Sequence, residues 1–149
     1  MTSDCEKQLG YVIFDSVCLM LGAAELRASL TAEAAEDMAE AAKPVLSKMD
    51  KYILTIADEA SSKTEVATAA FGIMSTIWSG GCLGAVVSSW LGTLSVGNAI
   101  LYGATALGTL LAAFATDGAA EIGLIVVELA TAGWLIEDSI KCAEECSYA

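Results

Sequence analysis

A chain of 149 residues with seven Lys and Arg against nineteen Asp and Glu carries a formal net charge of −12, and it contains no His. Nucleic acid is bound through clustered Lys and Arg, so this balance argues against DNA and RNA as partners. The apolar fraction of 56% counts no Gly, yet it exceeds the roughly 45–50% of ordinary globular chains, a figure that includes Gly.

Ser3 followed by Glu6 has the spacing of a capping box, and Leu9, Val12, Ile13, Ser16, Val17, Met20, Leu21 and Ala24 then recur at helical intervals toward Ser29. Tyr11, Phe14, Cys18 and Leu19 fill the other faces of this first helix. It is therefore expected at the centre of the fold, with Asp15 as its one ionisable interior residue. Thr31 is expected to cap a second helix, with Ala35, Met38, Ala42, Val45, Met49, Tyr52, Ile56 and Ala60 as an apolar stripe on an otherwise charged surface. Pro44 lacks an N–H and clashes with the preceding turn, at about 3 kcal/mol inside a helix, so a kink or break near Lys43 is predicted.

Ser62 and Glu65 repeat the capping-box spacing, and from Val66 through Thr116 the chain runs for 51 residues without a charge. Helix signals cover Val66 to Ser79 and Cys82 to Leu91, broken at Gly80 and Gly81. Gly92, Ser95, Gly97 and Asn98 make the next turn, and Ala99 to Ala115 is a third apolar stretch. Asp117 is expected to cap a last helix running to Cys146. These signals predict an all-α fold: a compact bundle of five or six helices in one domain, with a central or concealed apolar helical hairpin. Amphipathic and acidic helices occupy 1–65, charge-free apolar helices 66–116, and the C-terminal helix 117–149.

Cys5, Cys18, Cys82, Cys142 and Cys146 make an odd set without a C-x-x-C, and with no His the familiar zinc spacings are absent, so neither a metal nor a cofactor is expected. Cys142 and Cys146 lie four apart on one helix face. With Cys5 they are the candidates for a disulfide that ties the chain ends together where the outer helices are adjacent. There is no G-x-S-x-G and no P-loop, and a thiol nucleophile has only carboxylates and a few Lys as bases. No enzymatic role is expected. Asp4 and Glu6 stand where a secretory signal carries basic residues, which favours membrane association, or export without a recognisable N-terminal signal peptide.

A bilayer core of about 30 Å takes ~20 apolar residues per helix, so the charge-free run is long enough for two crossings and a turn. The candidate membrane-inserting residues are Trp78, Leu83, Val86, Val87, Trp90, Leu94, Ile100, Leu101, Leu107, Leu110, Leu111 and Phe114. Gly80, Gly84, Gly103 and Gly108 are small enough to let helix backbones pack closely. Asp15, Glu121 and Glu128 are candidate pH triggers, because transfer into lipid favours the protonated carboxyl. The function expected from these features is a membrane-inserting or pore-forming toxin or effector, soluble before insertion, with the lipid bilayer and further copies of itself as partners. In architecture and composition this plan resembles the pore-forming domains of colicins; no colicin sequence motif matches, and no residue is carried over. A self-assembling coat, envelope or filament subunit, a constitutive holin-like membrane protein and a carrier for an apolar ligand are the alternatives.

Overall fold

The computed structural model describes residues 1–148, which form nine α-helices and two 3₁₀ helices, with no strand among the described residues. The order is α1 (Ser3–Met20), a 3₁₀ helix (Ala24–Ser29), α2 (Ala32–Ala41), a second 3₁₀ helix (Lys43–Lys48), α3 (Asp50–Ala57), α4 (Lys63–Ser79), α5 (Leu83–Gly92), α6 (Val96–Gly103), α7 (Ala106–Phe114), α8 (Ala119–Glu128) and α9 (Trp134–Glu145).

The all-α expectation holds, whereas the count of five or six helices is corrected to eleven helical segments among the described residues. Four of the expected helices are cut where the chain must turn, while the one over Val66–Ser79 runs unbroken as α4. The first ends at Met20, ahead of Gly22 with φ 67°. The second stops at Ala41, and Pro44 opens the 3₁₀ segment that separates it from α3. The third apolar stretch divides at Ala104 and Thr105, and the last helix divides between Glu128 and Trp134. Gly103, a poor helix former, closes α6, and the break that follows lets α7 fold back onto α5.

The caps follow the chemistry of exposed N–H groups. Thr31 accepts from the Ala34 N–H at 3.1 Å, and the Ser62/Glu65 box is complete, with bonds of 3.1 and 3.0 Å. At the chain start the cap is Thr2, not Ser3: its Oγ1 accepts from the Cys5 N–H at 3.1 Å.

Helix α1 is the axis of the core. It packs against α2, α4, α8 and α9, burying Leu9, Val12, Ile13, Phe14, Val17, Leu19 and Met20 completely or nearly so. The crossing with α2 requires glycine at position 10, because a methyl there would run into the backbone carbonyl of Ala35. The total accessible surface of 6795 Å² lies near the about 7,100 Å² expected for a globular monomer of 15.3 kDa.

The apolar segment is not a concealed hairpin. Helices α4 and α5 turn one face inward, but α6 buries none of its residues and packs mainly on its chain neighbours α5 and α7. Chain ends meet at a Cys5–Cys146 disulfide that joins the first turn of α1 to the end of α9. Such bridges form and persist in oxidising compartments, which is the setting this one suggests.

Candidate functional site

Helix α5 repeats its apolar residues at helical spacing, so Leu83, Val86, Val87 and Trp90 all turn inward. Trp90 is fully buried; its Nε1 donates to Cys18 Sγ at 3.5 Å, and its ring meets Phe14 and Tyr102 at centroid distances of 6.3 and 5.6 Å. Helix α7 is pinned by Ala106, Leu110, Ala113 and Phe114. The Phe114 ring stacks on Trp78 at 5.3 Å and lies tilted on Phe71 at 5.5 Å.

Between these two anchored helices, α6 touches the core only through the half-buried Tyr102. Ser95 caps it by accepting from the Asn98 N–H at 3.3 Å, so the helix forms locally although its outer side is uncovered. Val96 is 78% exposed, Ile100 73% and Leu101 65%, and the outer face continues on α7 through Leu107 and Leu111. Neither helix contains a charged residue. A β-carbon at Gly97, Gly103 or Gly108 would meet open space, so these glycines leave bare backbone on or beside the same surface.

The membrane-insertion candidates therefore divide. Leu83, Val86, Val87, Trp90, Leu110 and Phe114 are buried, Leu94 is half-buried, and Trp78, Ile100, Leu101, Leu107 and Leu111 are exposed. Of the proposed packing glycines, Gly80 lies against Val45, while a β-carbon on Gly84, Gly103 or Gly108 would meet open space. Among the described residues no single helix is long and apolar enough to cross a membrane. Two pairs reach that length and hydropathy only together, α4 with α5 bent by 113° and α6 with α7 bent by 41°.

The candidate pH triggers occupy different surroundings. Asp15 is fully buried on α1, where Arg27, the single Arg of the chain, brings Nε within 3.0 Å of its Oδ1. The Arg27 N–H groups are directed instead at Asp138 Oδ2 on α9, from Nε at 3.2 Å and Nη2 at 3.0 Å. Both Asp15 oxygens are thus left without a directed hydrogen bond from a donor. Burial, followed by the hydrogen bond and charge of Asp138, holds the Asp15 proton well above the usual carboxylate range, against a smaller opposing pull from Arg27. Arg27 also lies 5.2 Å from the Tyr11 ring centroid, closing a cluster that joins α1, the first 3₁₀ helix and α9. Glu128 is half-buried with Oε2 unpartnered, and burial and then the charge of Glu25 raise its pKa. Glu121 is half-buried on α8.

Sequence reasoning missed Arg27 and Asp138 as partners of Asp15. The signal was a lone Arg in a strongly acidic chain, following an Asp on an otherwise apolar helix. Val96 was also missed, because a stretch read as buried gives no reason to rank its members by exposure. At the chain ends Cys142 is buried and free, with Sγ 3.9 Å from Cys146 Sγ. No family model, curated protein or solved structure matches this chain.

Proposed function

We propose that this chain is a self-assembling structural subunit of the coat, envelope or filament kind, joined to further copies of itself through the uncharged outer face of α6 and α7. The observation that carries this reading is the exposure of Val96, Ile100, Leu101, Leu107 and Leu111 on two consecutive helices that hold no charge. Single exposed apolar residues are ordinary, whereas a run of them marks a contact surface. Burying what these five side chains now expose, about three full side chains' worth, would contribute roughly 4.5–9 kcal/mol per copy, at 1.5–3 kcal/mol for a full side chain. A symmetric pair doubles that figure, which is of the size needed to offset the roughly 4–15 kcal/mol lost on association.

Three features favour a protein partner over lipid. At 1.5 Å per residue, α6 and α7 are about 12 and 14 Å long, against a bilayer core of about 30 Å. Gly97, Gly103 and Gly108 offer lipid little apolar area, but they let another backbone or side chain come close. Copies carrying −12 repel one another, and an uncharged face is where they meet at least electrostatic cost. Insertion into a bilayer is the second reading, favoured by the combined length and hydropathy of the bent α6–α7 pair.

Size-exclusion chromatography with light scattering, without detergent and over a wide concentration range, tests the proposal together with electron microscopy of negatively stained particles. The expected mass is well above the 15.3 kDa protomer, and it returns to the protomer in an Ile100→Asp, Leu111→Asp variant with an unchanged helical spectrum. A protomer mass at every concentration refutes self-assembly. Vesicle binding with dye release by that protomer would transfer the face to the bilayer reading.

A further inference from the structure

The three sulfurs at the chain ends stand in an order that a structural disulfide does not require. Cys146 ends α9 and is bonded to Cys5, while Cys142, one turn earlier on the same face, places its free Sγ 3.9 Å from Cys146 Sγ. We propose that Cys5, Cys142 and Cys146 form an internal thiol–disulfide exchange site, in which Cys142 displaces Cys5 from Cys146 and unties α1 from α9. The other free thiols have different surroundings: Cys18 receives the Trp90 N–H in the core, and Cys82 lies at the break between α4 and α5.

The step balances without an external oxidant or reductant. Cys142 gives its proton to water or hydroxide and its sulfur attacks Sγ of Cys146. The Cys142–Cys146 bond forms, the Cys5–Cys146 bond breaks, and Cys5 leaves as a thiolate that takes up a proton. The Cα atoms of residues four apart on a helix, about 6 Å apart, lie inside the disulfide range of roughly 4.4–6.8 Å, but their Cβ atoms, about 5–6 Å apart, must close to about 4 Å, so the product forms as the last turn of α9, at the chain end, loosens. A surface cleft of about 350 Å³, lined by Met1, Thr2, Cys5, Glu145, Cys146 and Tyr148 among others, brings water to the bonded pair, where the leaving Cys5 thiolate takes up its proton, while the buried Cys142 loses its own only as the end of α9 loosens. Exchange replaces a bridge of sequence separation 141 with one spanning a single turn. The ends of the chain are then held by packing alone.

Tryptic mapping reads the outcome directly, because cleavage after Lys7 and Lys141 isolates residues 1–7 with Cys5 and residues 142–149 with Cys142 and Cys146. The oxidised protein is incubated without added thiol, quenched in acid, alkylated, digested and weighed. The starting state gives the two peptides cross-linked. Exchange gives peptide 142–149 with an internal bridge and peptide 1–7 alkylated on Cys5. Burial holds the Cys142 thiol up to about 12, so its thiolate fraction, and with it the rate, is expected to rise about tenfold per pH unit between about pH 7.5 and 9.5, at a rate independent of protein concentration. In Cys142→Ser the cross-linked pair is expected to persist. A parent protein that keeps the cross-linked pair throughout, or that exchanges at a rate proportional to concentration, overturns the proposal. Should Cys142→Ser fail to fold, the parent's peptide pattern decides alone.

Discussion

Replacing Asp15 with Asn tests whether the carboxyl at the centre of the bundle is a proton store. The side chain is fully buried, Arg27 supplies charge at 3.0 Å without a directed hydrogen bond, and Asp138 accepts from the same Arg27 Nε that faces Asp15. Burial and the Asp138 carboxylate raise the Asp15 pKa in the folded state well above its unfolded value near 3.9. A raised pKa means that the folded chain binds the proton more tightly than the unfolded chain. The associated stability is therefore fully present below about pH 3.9 and is lost as pH rises through the folded pKa. One proton gives a slope of at most about 1.4 kcal/mol per pH unit. Urea unfolding of parent and Asp15→Asn, followed by circular dichroism from about pH 4.5 to 8, isolates that slope, because repulsion among the remaining carboxylates is common to both. Asn cannot ionise, so the variant should gain on the parent steadily as pH rises. Parallel stability profiles would refute the assignment and mean that Asp15 titrates alike in both states. The sign also bears on acid activation: a raised pKa means that protonating Asp15 favours the folded state, so it is not a step that opens the fold.

Two further outcomes follow from the packing. Removing the chain-end bridge in a Cys5→Ser, Cys146→Ser variant should lower the unfolding free energy by up to about 5 kcal/mol, the loop-closure term for a sequence separation of 141, and an unfolding midpoint shift worth under about 1 kcal/mol would show that the ends are held without it. Gly10→Ala should destabilise by about 1–3 kcal/mol as α1 and α2 are forced apart, while Gly123→Ala on α8, where the added methyl meets open space, should stabilise by roughly 0.5–1 kcal/mol; equal effects at the two positions in thermal unfolding would contradict the close crossing.

Local signals were legible and long-range ones were not. Thr31, Ser62 with Glu65, Pro44 and the Gly80–Gly81 break each act within a turn of their own position, and the structure places the corresponding helix ends there. The split at Ala104 and Thr105 follows Gly103, but its role, bringing Leu110 and Phe114 back onto the core, is one that periodicity alone cannot show. Exposure was hidden for the same reason. An apolar helix reads alike whether its outer face meets protein or solvent, so Leu110 and Leu111 were grouped together although one is fully buried and the other exposed. The Asp15 cluster depends on a partner 123 positions away on α9, a pairing that only the fold creates.

The division of the charge-free segment also sets the energetic order of its uses. Exposing the buried half, Leu83, Val86, Val87, Trp90, Leu110 and Phe114, would forfeit roughly 1.5–3 kcal/mol for each side chain, about 9–18 kcal/mol together. That is comparable to or larger than the entire 5–15 kcal/mol by which a domain of this size is stable. Val96, Ile100, Leu101, Leu107 and Leu111 are available without breaking any of those contacts. A contact made by the folded chain therefore precedes one that requires opening, and lipid would have to supply the whole opening cost before α4 and α5 could take part. This ordering is why assembly through the α6–α7 face is the preferred reading of an apolar segment that, from composition alone, points first to a membrane.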